Sequence, residues 1–274
     1  MADAKTQIED KSGAPVDELA GSEAPLLEHL IELRKRLIYS AVTIVVLMAI
    51  CFIFASTIYE WLLIPYKRSV PGANLIFTAP QELFFTYLNV ALFGAIFLGF
   101  PMIASQVYMF VAPGLYKHER RAFIPYLVAT PVFFVAGAAL VYFVVLPMAL
   151  HFFAGMQTED IEMLTSVSEY LGLAMLLILA FGICFQLPVV LTLLAQIDLV
   201  HVDLLKKGRR YAIVGILIFA AFITPPDPIS QIGLAVPMYL LYELSIISVR
   251  MVEKRRAAAL AAQEAELSGS STSE

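Results

Sequence analysis

The chain has 274 residues, 60% of them hydrophobic and only 15% charged, with a mean hydropathy of +0.81 and a formal net charge of −5. A water-soluble domain of this length could not hide so much apolar surface, because a large share of any globular surface must be wetted. The composition excludes an ordinary soluble enzyme or binding module and makes lipid the natural solvent.

Acids gather at both ends, Glu9, Asp10, Asp17 and Glu18 at one and Glu264, Glu266 and Glu274 at the other. Residues 1–24 and 251–274 therefore read as solvated, largely disordered tails. The N-terminal stretch lacks a basic segment followed by an apolar run, so no cleavable signal peptide is expected.

The first patterned segment is LLEHLIELRKRL, Leu26 to Leu37. Leu26, Leu30, Leu33 and Leu37 fall on one helical stripe, with Glu28, Glu32 and the trio Arg34, Lys35 and Arg36 off it. By itself this is an interfacial helix in which Glu32 pairs with Arg36 at i+4. Apolar runs then extend from Leu37 to Ile58, from about Leu88 to Val111, from Ala122 to Leu146 and from about Tyr170 to Ile197. Each reaches the ~20 residues needed to cross a bilayer.

The fifth run is short. Only fourteen residues, Tyr211 to Thr224, separate Arg210 from Pro225. As helix they span ~21 Å against a ~30 Å hydrocarbon core. Thr224-Pro225-Pro226-Asp227-Pro228 forces a turn, and a sixth helix runs to about Val249. So short a hairpin must thin the bilayer beside it or shelter against longer neighbours. The expected fold is an all-α integral membrane protein with six transmembrane helices in residues 25–250.

Basic residues orient it. They precede helix one (Arg34, Lys35, Arg36), lie between helices two and three (Lys117, Arg120, Arg121) and between four and five (Lys206, Lys207, Arg209, Arg210), and follow six (Arg250, Lys254, Arg255, Arg256). Only Lys67 and Arg68 fall on the other side, so the positive-inside rule places both termini in the cytoplasm. Prolines inside the runs, Pro101, Pro131, Pro188 and Pro237, should kink the helices and curve the bundle into a concave wall.

FVAPGLYKHERR, Phe110 to Arg121, closes helix two and opens the loop before helix three. Glu119 there suits a helix N-terminus, and it also suits a receptor for a cationic ligand at the membrane edge. Gln186 and Glu243 lie at membrane depth, where polar groups face protein or water. Glu243 reads equally as an acid paired within the bundle. Cys51 and Cys184 sit in apolar runs and read as free thiols. The four histidines are scattered, and no HExxH, GxSxG or glycine-rich phosphate loop is present. No enzyme activity, metal or cofactor is expected.

Four strings in register, HLIELRKRL, FVAPGLYKHERR, FGICFQLPV and TPPDPISQ, resemble the TatC family, the signal-peptide receptor subunits of the twin-arginine protein translocase. The likeness spans about Leu26 to Arg250. It implies that the protein binds twin-arginine signal peptides of folded precursors at the cytoplasmic face of the bacterial inner membrane. It further implies assembly with TatA- and TatB-like single-span subunits and with further copies of itself, for export driven by the proton-motive force.

By the same resemblance Glu32 and Glu119 match acids that meet the paired arginines, and Arg34 and Phe110 match neighbouring recognition residues. Pro65 matches a proline needed for function, and Asp227 a polar position of the last outer turn. Thr224, Gln231 and Gln186 match positions where partner subunits pack. Many relatives carry Glu where this chain has Gln186, which cannot ionise. The competing reading is a small secondary transporter, which would need an ionisable group near the midplane; here that position is a neutral amide. An intramembrane hydrolase lacks its catalytic set.

Overall fold

The computed structural model describes residues 17–70, 72, 75–111, 124–157, 164–223 and 228–270, with side chains described inside these limits over 29–70, 72, 75–110, 126–157, 164–223 and 231–261. Glu119, Thr224 and Asp227 lie outside the described side chains.

Helix α1 (Asp17–Ile53) leads almost directly into α2 (Ala55–Ser69), with a break at Phe54, where ψ swings to 12°. Helix α3 (Glu82–Val111) returns along α1. Helix α4 (Ile124–Leu140) passes through one π-helical segment, Val141–Val145, into α5 (Leu146–Ala154). Helices α6 (Val167–Cys184) and α7 (Leu187–Gln196) are separated by Phe185 and Gln186. Helix α8 (Val202–Ile223) and the long α9 (Pro228–Ser270) complete the chain. Among the described residues there is no β-strand, only an isolated bridge between Ile76 and Ser166.

Five stretches are long and apolar enough to cross a membrane: His29–Ile53, Glu82–Phe110, Tyr126–Ala154, Val167–Gln196 and Gln231–Ala261. Helix α8 is not one of them, because its first turns carry Lys206, Lys207, Arg209 and Arg210 and its described apolar part begins only at Tyr211.

Three boundaries differ from the hydropathy reading. The segment from Tyr59, expected as loop, stays helical to Ser69, and the third helix continues past Pro147 to Ala154. Hydropathy marks where charge begins, and a helix can outrun the apolar part of its sequence. At the C-terminal end α9 continues through residues read as a disordered tail to Ser270. The run Ala257–Ala262 with its flanking Glu, Gln and Leu is among the strongest helix-forming sequence available. Of the prolines, Pro188 coincides with an interruption, whereas α3, α4 and α9 run on through Pro101, Pro131 and Pro237.

The main core centres on α6. Tyr170, Leu171, Ala174, Leu177, Ile178 and Phe181 are buried against Leu62 and Tyr66 of α2, Phe93 of α3, and Val141, Val145 and Leu146. Where α4 crosses α6 the backbones touch: a Cβ on Gly137 would lie 2.7 Å from the Phe181 carbonyl, and one on Gly182 would lie 2.6 Å from the Phe134 ring. Small residues at crossings are how membrane helices gain contact without a hydrophobic drive between them. A second, smaller core joins Ala195 of α7, Val202 and Leu205 of α8, and Tyr242, Ile246 and Val249 of α9. Asp198, with φ at 65°, turns the chain between α7 and α8 and pairs with Arg256 at 2.7 Å. Glu253 of α9 accepts the Val202 N–H at 2.9 Å, satisfying one free donor at the start of α8.

Candidate functional site

At the basic end, α1 and α3 meet in a seam built from both. The Arg36 guanidinium pairs with Glu32 at 2.9 Å, one helical turn away, and also donates to Gln106 Oε1 of α3 at 3.3 Å. Its Nη1 further touches Met109 Sδ at 3.3 Å. One turn before Glu32, the His29 ring stacks on Phe110 with centroids 4.2 Å apart and planes inclined by 22°. Glu32 and Phe110 are thereby brought to one place, both half-buried. Arg34 is not: it is exposed on another face of α1, with no ion pair among the described residues. Sequence reasoning missed His29 as a partner of Phe110, and Gln106 altogether. A buried glutamine in the last turns of an apolar helix was the available signal for Gln106.

At membrane depth the break between α6 and α7 is held by Gln186. Its backbone N–H bonds Ile183 three residues back, so the Gly182 carbonyl loses its usual donor. The Gln186 side-chain amide replaces that donor at 3.3 Å and also donates to the Thr130 carbonyl of α4 at 3.0 Å. The Thr130 hydroxyl lies 2.6 Å from that of Tyr108 on α3, so three helices share one polar chain. The carbonyl Oε1 of Gln186 is buried with no hydrogen-bond partner. A buried acceptor left empty costs about 1–3 kcal/mol relative to a satisfied one.

At the opposite end, Pro65 lies inside α2 and is buried. Proline has no N–H, so the carbonyl four residues back, Trp61, loses its helical donor. The Tyr142 hydroxyl, presented by the π segment, donates to that carbonyl at 2.7 Å, and the Tyr170 hydroxyl donates to Leu62 beside it at 2.7 Å. Nearby, Glu82 opens α3 and gathers its neighbours. It accepts from the Thr78 N–H at 2.6 Å, from the Ser168 N–H at 3.1 Å and hydroxyl at 2.7 Å, and from the Ser166 hydroxyl. Ile76 bonds Thr165 and Val167 alongside.

On the α8–α9 hairpin, Gln231 donates to the Leu217 carbonyl at 3.1 Å and ties the two helices together. Between them runs an apolar groove of about 300 Å³ lined by Ile213, Ile216, Leu217, Ile232, Val236 and Leu240. Glu243, left open by the sequence, pairs with Arg209 of α8 at 2.7 Å and accepts from Tyr239 at 2.9 Å, which makes it a clasp at the basic end of that groove. No group of His, Cys, Asp and Glu able to hold a metal occurs among the described residues.

Residues 28–237 match the family profile of the Sec-independent protein translocase protein TatC. The chain is 46% identical over 245 residues to the Sec-independent protein translocase protein TatC of Magnetococcus marinus, covering 89% of this chain and 90% of that one. It is 38% identical to the protein of the same name from Escherichia coli K12, over 82% of this chain and 88% of that one. Its backbone is similar to the crystal structure of the twin arginine translocase receptor TatC, with a TM-score of 0.75 and 36% identity over 82% of this chain and 99% of that one.

Proposed function

The chain belongs to the TatC family of Sec-independent protein translocase proteins, and on that premise we propose that it is the signal-peptide receptor of its translocase. It is a multi-pass membrane protein and a translocase subunit. The finer reading has six spans, with both termini in the cytoplasm and the basic end facing the precursors in a bacterial inner membrane. The paired arginines of a twin-arginine signal peptide dock at that end, on Glu32 and Glu119, with Phe110 and Arg34 beside them.

The observation that carries this reading is the α1–α3 seam. Glu32 already holds a guanidinium, that of Arg36, in a half-buried setting supported by Gln106. A signal arginine offers the same planar, charged donor set, so it can exchange with Arg36 at little cost in desolvation. TatA- and TatB-like subunits pack on the α8–α9 groove near Thr224 and Gln231, and a donor from a partner helix fills the empty carbonyl of Gln186. Pro65 and Asp227 hold the outer ends in shape. The proton-motive force drives export, and Gln186, which does not ionise, takes no proton in that step.

Photo-crosslinking from position 119, in membrane vesicles offered a precursor with its signal arginines intact or changed to lysine, tests the reading. A crosslink that appears with arginine and fades with lysine is expected. Equal crosslinking of both, or none from folded protein, would refute the docking role. Glu119→Ala is expected to abolish precursor binding while leaving the membrane level of the protein unchanged.

A further inference from the structure

Lys67 and Arg68 stand apart from the charge pattern. Topology accounts for the other basic clusters, but these two lie at the end of the membrane where basic residues are otherwise avoided. Both are exposed, and among the described residues neither has an ion pair. Below them, between α2, α3, α4 and the π segment, lies an almost wholly apolar groove of about 510 Å³. Trp61, Phe93, Phe97, Val135, Ala139 and Phe143 are among the residues that line it. That volume is in the range of ligand-sized clefts. Phe143, Leu98 and Val135 are exposed at its rim, so it opens sideways into lipid. Its one hydroxyl, on Tyr142, is already spent on the Trp61 carbonyl.

Arg68 sits over this groove. Trp61, Ile64 and Arg68 follow one helical face at i, i+3 and i+7, which sets Arg68 ~6 Å beyond Ile64 along the axis of α2. Arg68 also lies within electrostatic range of Tyr142 on the facing wall. The nearest acid on α2, Glu60, is eight residues back, ~12 Å along the axis. Glu82 is engaged by Thr78, Ser166 and Ser168. An apolar slot capped by two cations that have no ion pair among the described residues, with a tryptophan at its edge, is complementary to one kind of membrane component. We propose that the groove is a binding site for an anionic phospholipid, one acyl chain lying in the slot and the phosphate held by Arg68 and Lys67. Arginine grips a phosphate through paired N–H donors, and tryptophan prefers the headgroup level that this places beside it.

Trp61 is the sole tryptophan of the chain and borders the groove, so its fluorescence reports what lies there. The full-length protein would be reconstituted in phosphatidylcholine bilayers carrying a fixed fraction of bromine-labelled phosphatidylglycerol or, in parallel, bromine-labelled phosphatidylcholine. Quenching by the anionic lipid is expected to exceed that by the neutral one, with a preference of about fivefold per cation that falls as salt is added. Lys67→Gln combined with Arg68→Gln should abolish the preference and leave neutral-lipid quenching intact. Ala139→Leu, which fills the slot and keeps the cations, should lower quenching by both lipids. Equal quenching by the two lipids in the unaltered protein, or a preference that survives loss of both cations, would overturn the proposal. So would quenching by neither lipid until the protein is diluted in the bilayer, which would mean that another protein helix covers the groove.

Discussion

The two ends of the α1–α2 rod are held by opposite kinds of chemistry. At the basic end the contacts are between side chains: a salt bridge with about a quarter of each partner's side chain exposed, a glutamine, and a stacked ring pair. At the other end tyrosine hydroxyls bind backbone carbonyls, that of Leu62 inside the packed core and that of Trp61, freed by Pro65, at its edge. Side-chain charges at a wet edge can change partners, because water and competing ions are always within reach. A carbonyl inside the core, such as that of Leu62, has no such alternative and must be satisfied by a fixed donor. The molecule thus separates an end suited to exchange from an end suited to holding position.

The contrast can be broken most severely at the fixed side. Gly182→Leu drives a side chain into the Phe134 ring and should cost about 3 kcal/mol or more, read as loss of the protein from membranes and a lowered melting temperature in detergent. Tyr142→Phe should cost about 1–2 kcal/mol by stranding the Trp61 carbonyl. The same change made together with Pro65→Ala should cost much less, since the restored N–H supplies the missing donor. Equal melting losses in the two backgrounds would show that the hydroxyl does not serve that carbonyl. At the exchangeable side, Glu32→Gln should change stability by no more than about 0.5 kcal/mol, yet weaken precursor binding at least tenfold. A large stability loss from that variant would erase the distinction between the two ends.

Helix existence was legible from the sequence because apolar runs of bilayer length have few other meanings. Helix ends were not. The segment 59–69 carries Glu60, Lys67 and Arg68 and reads as solvated, but its other face packs on the core and keeps it helical. Of the candidate site, the Glu32–Arg36 pair was legible from its i+4 spacing and Phe110 from the motif around it, while the contacts that join α1 to α3 were not. Arg36 and Gln106 are 70 residues apart, and no spacing rule within one helix can reveal a pairing made between two. The tyrosines that serve the proline kink were hidden for the same reason. The helices run on without a break through Pro101, Pro131 and Pro237, because neighbouring helices and local adjustments can re-satisfy a single freed carbonyl.

The π segment at Val141–Val145 has a consequence in register arithmetic. One wide turn holds one residue more than an α-helical turn over the same rise, and each residue of an α-helix advances the face by ~100°. Deleting one residue at Phe143 or Val144 would let the segment close into regular α-helix with α5 left on its present face, whereas relaxing the segment to α-helix at full length would swing all of α5 by about a quarter-turn relative to α4. Leu146, Ala149 and Leu150, now buried, would rotate off the core together, and Tyr142 would leave the Trp61 carbonyl. A one-residue deletion at exposed Phe143 or Val144 should therefore be tolerated far better than the same deletion in α4 or α5, where no wide turn absorbs it.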